Sequence, residues 1–109
     1  QPSFTTSQKF LDENPEVAAG AVRAIVKAQK ALKDNVQLAE EVGAKLFPDK
    51  EAALITRLIE RDLPYYDANI KNEFINGMVT FVRKAGLLEG GPVDYADIVA
   101  TEFTDLWNG

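Results

Sequence analysis

The chain reads as a mainly α protein of about six helices, and three observations predict this. Apolar residues return every three or four positions through most of its length. Pro, Gly, Asp and Asn stand where one such stretch gives way to the next. After residue 6 no alternating polar and apolar run reaches strand length.

The elements follow in order. Gln1-Pro2-Ser3-Phe4-Thr5-Thr6 is β-tolerant and carries a Pro that discourages helix, so it is expected to be an extended lead-in. Ser7 is placed to cap a short helix through Phe10, Leu11 and Asp12. Asn14-Pro15-Glu16 supplies a side-chain acceptor, a residue with preset φ and an anion in the first turn, a strong helix start. The helix it opens runs about five turns, with Ala18, Val22, Ile25 and Leu32 on one face and Arg23, Lys27 and Lys30 opposite. That basic stripe is expected to be a solvated helix face.

Asp34 or Asn35 divides this helix from the next, and Asp34 with Gln37 has the spacing of a capping box. Leu38, Val42 and Leu46 form the next apolar stripe. Pro48 interrupts, and Asp49-Lys50-Glu51 opens a fourth helix whose buried side is expected to hold Leu54, Ile55, Leu58 and Ile59. It should end by Leu63, because the residue before Pro64 is pushed away from helical ψ. Asp67 or Asn69 caps a fifth helix with Ile70, Phe74, Met78, Phe81 and Ala85 on its apolar face, the most regular periodicity in the chain. Gly86 stops it in a Schellman ending with Leu87 folded back on the last turn. Gly90-Gly91-Pro92 breaks the chain, Asp94 caps a segment through Ile98 and Val99, and Phe103, Leu106 and Trp107 make a late apolar cluster.

Composition removes many functions. With 12 Lys and Arg against 17 Asp and Glu the net charge is −5, the opposite of the basic footprint left by nucleic-acid binding. No Cys and no His are present, which excludes thiolate nucleophiles, Ser-His pairs and the usual zinc ligand sets. No apolar run approaches the roughly 20 residues that span a bilayer, so the chain is not integral to a membrane. At 109 residues, with no repeats and no long linker, residues 1–109 make one helical domain.

Few residues are candidates for a site. Tyr65 and Tyr66 are the candidate ligand contacts, since a phenol joins a stacking surface to a hydrogen-bonding tip. The alternative is that both rings pack over helix ends. Gly90-Gly91 lacks the Lys-Ser or Lys-Thr and the preceding strand of a phosphate cradle, and reads as a loop. Glu40 and Glu41 point about 100° apart, and Asp94 with Asp97 is explained by capping. No catalytic residue, cofactor site or metal site emerges.

The order of these features resembles one family. Asn-Pro-Glu opening a long Ala-rich helix over 14–33, a second helix ending near Pro48, Leu-Pro-Tyr-Tyr-Asp at 63–67, Lys-Ala-Gly-Leu-Leu at 84–88 and Val-Asp-Tyr-Ala-Asp-Ile-Val at 93–99 carry the likeness. It is to the periplasmic substrate-binding proteins of ABC transporters, in the branch of the sulfonate, taurine and nitrate receptors and the thiamine-pyrimidine synthesis proteins. The likeness covers about residues 3 to 106 and falls at the carboxyl-terminal end of those proteins. Gly20, within a helix, and Phe47-Pro48-Asp49, with no small polar cap before the Pro, depart from the pattern.

The resemblance implies the last third of a two-lobed α/β receptor that closes on a small ligand by hinge bending and presents it to a permease. It implies an exported, periplasmic or membrane-associated location and no catalysis. It transfers no ligand contact residue by residue. Two rival expectations stand beside it: part of a pyrimidine-synthesis enzyme of the same fold, and a free-standing helical interaction module. Helices that evolved to cover a sheet keep their apolar stripes without it, so the chain is expected to self-associate as a dimer with exchanged or facing helices.

Overall fold

A computed structural model describes residues 3–109, and among them the chain forms six α-helices, two 3₁₀ segments and no strand. Gln1 and Pro2, in the expected lead-in, lie outside the described residues; Ser3–Thr6 have no regular structure. Helix α1 (Gln8–Glu13) starts as expected, with the Ser7 hydroxyl accepting from the Phe10 N–H at 3.1 Å.

Pro15 is the first residue of α2 (Pro15–Asp34), but Asn14 does not cap it. Its side-chain amide instead donates back to the Phe10 carbonyl, and its backbone N–H does the same at 2.8 Å, so Asn14 closes α1. One residue cannot turn its side chain both ways, and the carbonyls left free at the end of the preceding helix take it. The Asp34–Gln37 capping box is likewise not formed. Asp34 remains helical, Val36 precedes α3 (Gln37–Leu46), and the Asn35 side chain accepts from the Gln37 N–H at 3.2 Å in an Asx turn.

The boundaries of the fourth helix are as the sequence expects. α4 (Asp49–Asp62) begins directly after Pro48 and gives way to a 3₁₀ turn, Leu63–Tyr65, at Pro64. α5 (Asn72–Lys84) starts later than Asp67 or Asn69; Asp67 caps the loop instead, its Oδ1 accepting from the Asn69 N–H at 2.9 Å. At the far end Gly86 has φ +74°, with Gly86 N–H on the Arg83 carbonyl and Leu87 N–H on that of Val82, both at 3.0 Å. These are the two bonds of the Schellman ending. Leu87 is nonetheless 78% exposed and does not fold back on the helix. α6 (Tyr95–Ile98) opens with a capping box between Asp94 and Asp97, and the 3₁₀ segment Thr101–Leu106 follows.

The packing departs furthest from expectation. Among the described residues the buried apolar ones are Ala18, Val26, Ala39, Ala52, Ile75, Val99 and Phe103, and no large side chain is fully enclosed. On α2, Ala18 is buried as expected, but Val26 rather than Ile25 completes the inward face, where the segment Thr101–Leu106 lies across the helix and brings in Phe103. α3 and α4, joined through Phe47 and Pro48, form a helical hairpin that closes through small residues. A Cβ added at Gly43 would sit 3.3 Å from that of Ala52. The expected stripes are only partly covered: Leu38, Ile55 and Ile59 are half-buried, whereas Val42 and Leu46 on α3, and Leu54 and Leu58 on α4, are exposed. On α5, Ile75 is buried, whereas Phe74, Met78 and Phe81 are 52%, 62% and 69% exposed.

The envelope records the same imbalance. The accessible surface is 8479 Å², about 2,500 Å² more than the roughly 6,000 Å² of a compact monomer of this length. The Cα radius of gyration is 16.7 Å against about 13 Å for such a globule. No helix among the described residues is long and apolar enough to cross a membrane.

Candidate functional site

The best-defined polar concavity is a cleft of about 160 Å³ in which three parts of the chain meet. The carboxyl-terminal half of α2 supplies Val26, Gln29, Lys30 and Lys33; the loop before α5 supplies Asp67, Ala68 and Asn69; Trp107 and Asn108 close the third side. α2 delivers its share because Val26, Gln29, Lys30 and Lys33 recur at three and four residues and so share a face. Lys30 is exposed, as are Arg23 and Lys27 of the expected solvated stripe, and its side chain also borders the cleft.

Hydrogen bonds tie the three walls together. Lys30 Nζ donates to the Asn108 carbonyl at 2.8 Å, and Lys33 Nζ to the Tyr66 carbonyl at 2.7 Å. The side-chain amides of Asn69 and Asn108 pair reciprocally, at 3.0 and 3.3 Å. Asp67 Oδ1 also accepts from the Asn69 side chain at 3.1 Å, and Lys71 Nζ lies 3.7 Å from Asp67 Oδ2. The Asn69 backbone N–H, then its side-chain amide, and less strongly Lys71 and Lys33, hold the Asp67 carboxyl below its ordinary range. At neutral pH Asp67 is an anion and an acceptor, not a proton donor.

A second, open depression of about 510 Å³ adjoins the turn at Leu63 and Pro64, with Val36 and Glu60 on its far side. Lys33 borders both hollows while its Nζ donates to the Tyr66 carbonyl. Here the two Tyr candidates part company. Tyr65 is 76% exposed, standing out from the 3₁₀ turn, and Tyr66 is half-buried and accepts from Lys33 through its backbone carbonyl. Neither phenol lines the cleft.

Chemically the arrangement is a latch. Its cations are bonded to main-chain carbonyls and its amides to one another, which joins the end of the chain to α2 and the 67–69 loop. Among the described residues no group of His, Cys, Asp or Glu is placed to hold a metal ion. The Asn69–Asn108 pair links residues 39 apart in sequence and carried no local signal. Arg83 was also silent; its guanidinium donates to the Gly90 carbonyl at 3.0 Å and to that of Gly91, fastening the glycine loop to the end of α5. Tyr95 hydroxyl donates to the Ile70 carbonyl and ties α6 to the approach to α5.

No family model, curated protein or solved structure matches the chain.

Proposed function

We propose that the chain is the carboxyl-terminal helical part of an exported solute-binding protein that captures a small molecule for an ABC importer and hands it to the permease. The observation that carries the reading is the outward position of large apolar residues on α3, α4 and α5. Helices whose bulky side faces away from one another are built to lie on a further layer, and a two-lobed receptor supplies such a layer in its sheets. The ordered run of segments from Asn-Pro-Glu to Val-Asp-Tyr-Ala-Asp-Ile-Val, which resembles that family, supports it. In this reading the chain is helical wall, the groups that select the ligand lie elsewhere in the receptor, and the α2 latch stiffens the wall.

The test is a thermal-shift screen of the complete protein against sulfonates, taurine, nitrate and pyrimidines. A ligand that binds only the folded state raises the melting temperature by mass action, by several degrees at a hundredfold excess over its Kd. A complete protein that responds to none of these, or that carries no export signal, overturns the reading.

A further inference from the structure

We infer that the cleft between α2, the 67–69 loop and Trp107–Asn108 is a binding site for a small tetrahedral oxyanion of the phosphate and sulfate class, held by Lys30 and Lys33. The two lysines lie three residues apart on one helix and line the same hollow, so their charges repel one another. An ammonium group carries three donors and no acceptor. Lys30 places one donor on the Asn108 carbonyl and Lys33 one on that of Tyr66, both main-chain oxygens without formal charge. Among the described residues the ion pairs are Arg61 with Asp62 and Lys71 with Asp67, and neither lysine of the cleft takes part in one. A dianion between the two ammonium groups satisfies their charges and their further donors together.

The surroundings favour an anion over a cation. From Val17 to Lys33, α2 carries four cations, Arg23, Lys27, Lys30 and Lys33, and no carboxylate, in a chain whose net charge is −5. Such a segregated stretch concentrates anions at the mouth of the cleft. Asp67 is the one carboxylate of the lining, and its charge is already engaged. Asn69 gives it two N–H groups, Lys71 stands 3.7 Å away, and Lys33 is the weakest of the groups that hold its carboxyl low. Gln29 and Trp107 add to the same lining two side chains able to donate, an amide and an indole.

Size and pre-organisation narrow the class. At about 160 Å³ the hollow has room for one small anion and a few waters, and falls below the roughly 300 Å³ at which sites for drug-sized ligands begin. Lys30 is positioned from two sides: the Asn108 carbonyl accepts from it, and Gly109, at φ +81°, leaves open the place where a Cβ would meet the ammonium group. The bonds that fix the latch thus fix a lysine before any ligand arrives, which lowers the ordering cost of binding. Both lysines are exposed, so the affinity is modest, with a dissociation constant on the order of 1 mM. The site lies within these 109 residues, whereas the solute-receptor reading puts its ligand groups elsewhere in the complete protein, so the two readings fail separately.

The experiment is a titration of the 109-residue chain with sodium phosphate, sodium sulfate and glycerol phosphate, against sodium chloride at equal ionic strength. It is read from the emission of Trp107, the single Trp and part of the cleft lining. The expected result is a saturable change with phosphate and sulfate and none with chloride. A matching response to glycerol phosphate extends the ligands to phosphate monoesters, and its absence restricts them to the free ion. Lys33→Gln, which keeps a donor for the Tyr66 carbonyl and removes the charge, should weaken binding about tenfold. Lys33→Arg should retain it, and Lys27→Gln, on the same helix outside the cleft, should change it by less than about twofold. Broadening of the phosphorus resonance of phosphate by the chain, lost with Lys33→Gln, checks the result without the Trp. No saturation by tens of millimolar, an equal response to chloride, or unchanged affinity in Lys33→Gln overturns the inference.

Discussion

The α3–α4 hairpin and α5 are built from similar apolar stripes and end in opposite circumstances. In the hairpin the helices approach through Ala39, Gly43 and Ala52, so the backbones come close and the larger Val42, Leu46, Leu54 and Leu58 are turned outward. On α5 the inward residue is Ile75, and the stripe with the most regular spacing, Phe74, Met78 and Phe81, meets solvent. The contrast teaches that periodicity identifies residues sharing a face but leaves open which face finds a neighbour. Where two helices can touch through small residues, dense contact over the whole seam competes successfully with bulky side chains at a few points.

The contrast can be sharpened first with one substitution at two positions. Phe103 is 7% exposed, and Phe103→Ala should lower stability by about 3 kcal/mol. Phe81→Ala, at dilutions where the chain is monomeric, should cost under about 0.5 kcal/mol, as exposed substitutions do. Urea denaturation of both variants decides it; equal losses would mean that α5 is covered in solution. Next in size, Gly43→Leu should break the hairpin seam at a cost of about 2 kcal/mol, because even a Cβ there is already at 3.3 Å from Ala52. The same Leu at Gly77, where space is open, should be neutral or stabilising, since Leu is the better helix former. Thermal melts of the pair compare a closed helix face with an open one.

A smaller effect is expected at the latch. Lys30→Met removes the donor to the Asn108 carbonyl and should cost about 1 kcal/mol or less, with a shift in emission from the single Trp, Trp107, as its segment loosens. Smallest is the pH response. The Asp67 carboxyl is held low in the folded state, so its contribution is present at neutral pH, begins to fade as pH falls below the ordinary carboxylate value of about 4, and is gone beneath its lowered folded value. Amide exchange at Asn69, followed against pH, should accelerate in that acid window while the α3–α4 hairpin stays protected. Loss of both together would show that the latch and the hairpin are one cooperative unit.

Much of this architecture could be read from residue types alone where the cause is local. Pro48 and Pro64 bracket α4, Gly86 stops α5 through its positive φ, Ser7 caps α1, and Asp94 with Asp97 opens α6, each acting within four residues of itself. Expectations failed where a side chain had two local partners, as at Asn14, whose amide serves the helix behind it, and at Asp34, displaced by the Asx turn at Asn35. The candidate site was legible only in part. Tyr65 and Tyr66 drew attention as a pair, yet the turn at Pro64 sends one ring outward and uses only the carbonyl of the other. The Asn69–Asn108 bond and the anchors of Lys30 and Lys33 join segments remote in sequence, and no spacing rule announces them.

Composition and periodicity by themselves determined the helical class, most helix boundaries, and the absence of thiol and imidazole chemistry, because these follow from dihedral preferences, capping and functional groups carried by each residue. Tertiary structure alone decided which stripe is covered and that the end of the chain is latched to α2. Burial depends on the distance at which two surfaces can meet, and that distance is a property of the pair of elements, set here by Gly43 against Ala52 and left unset above Phe81.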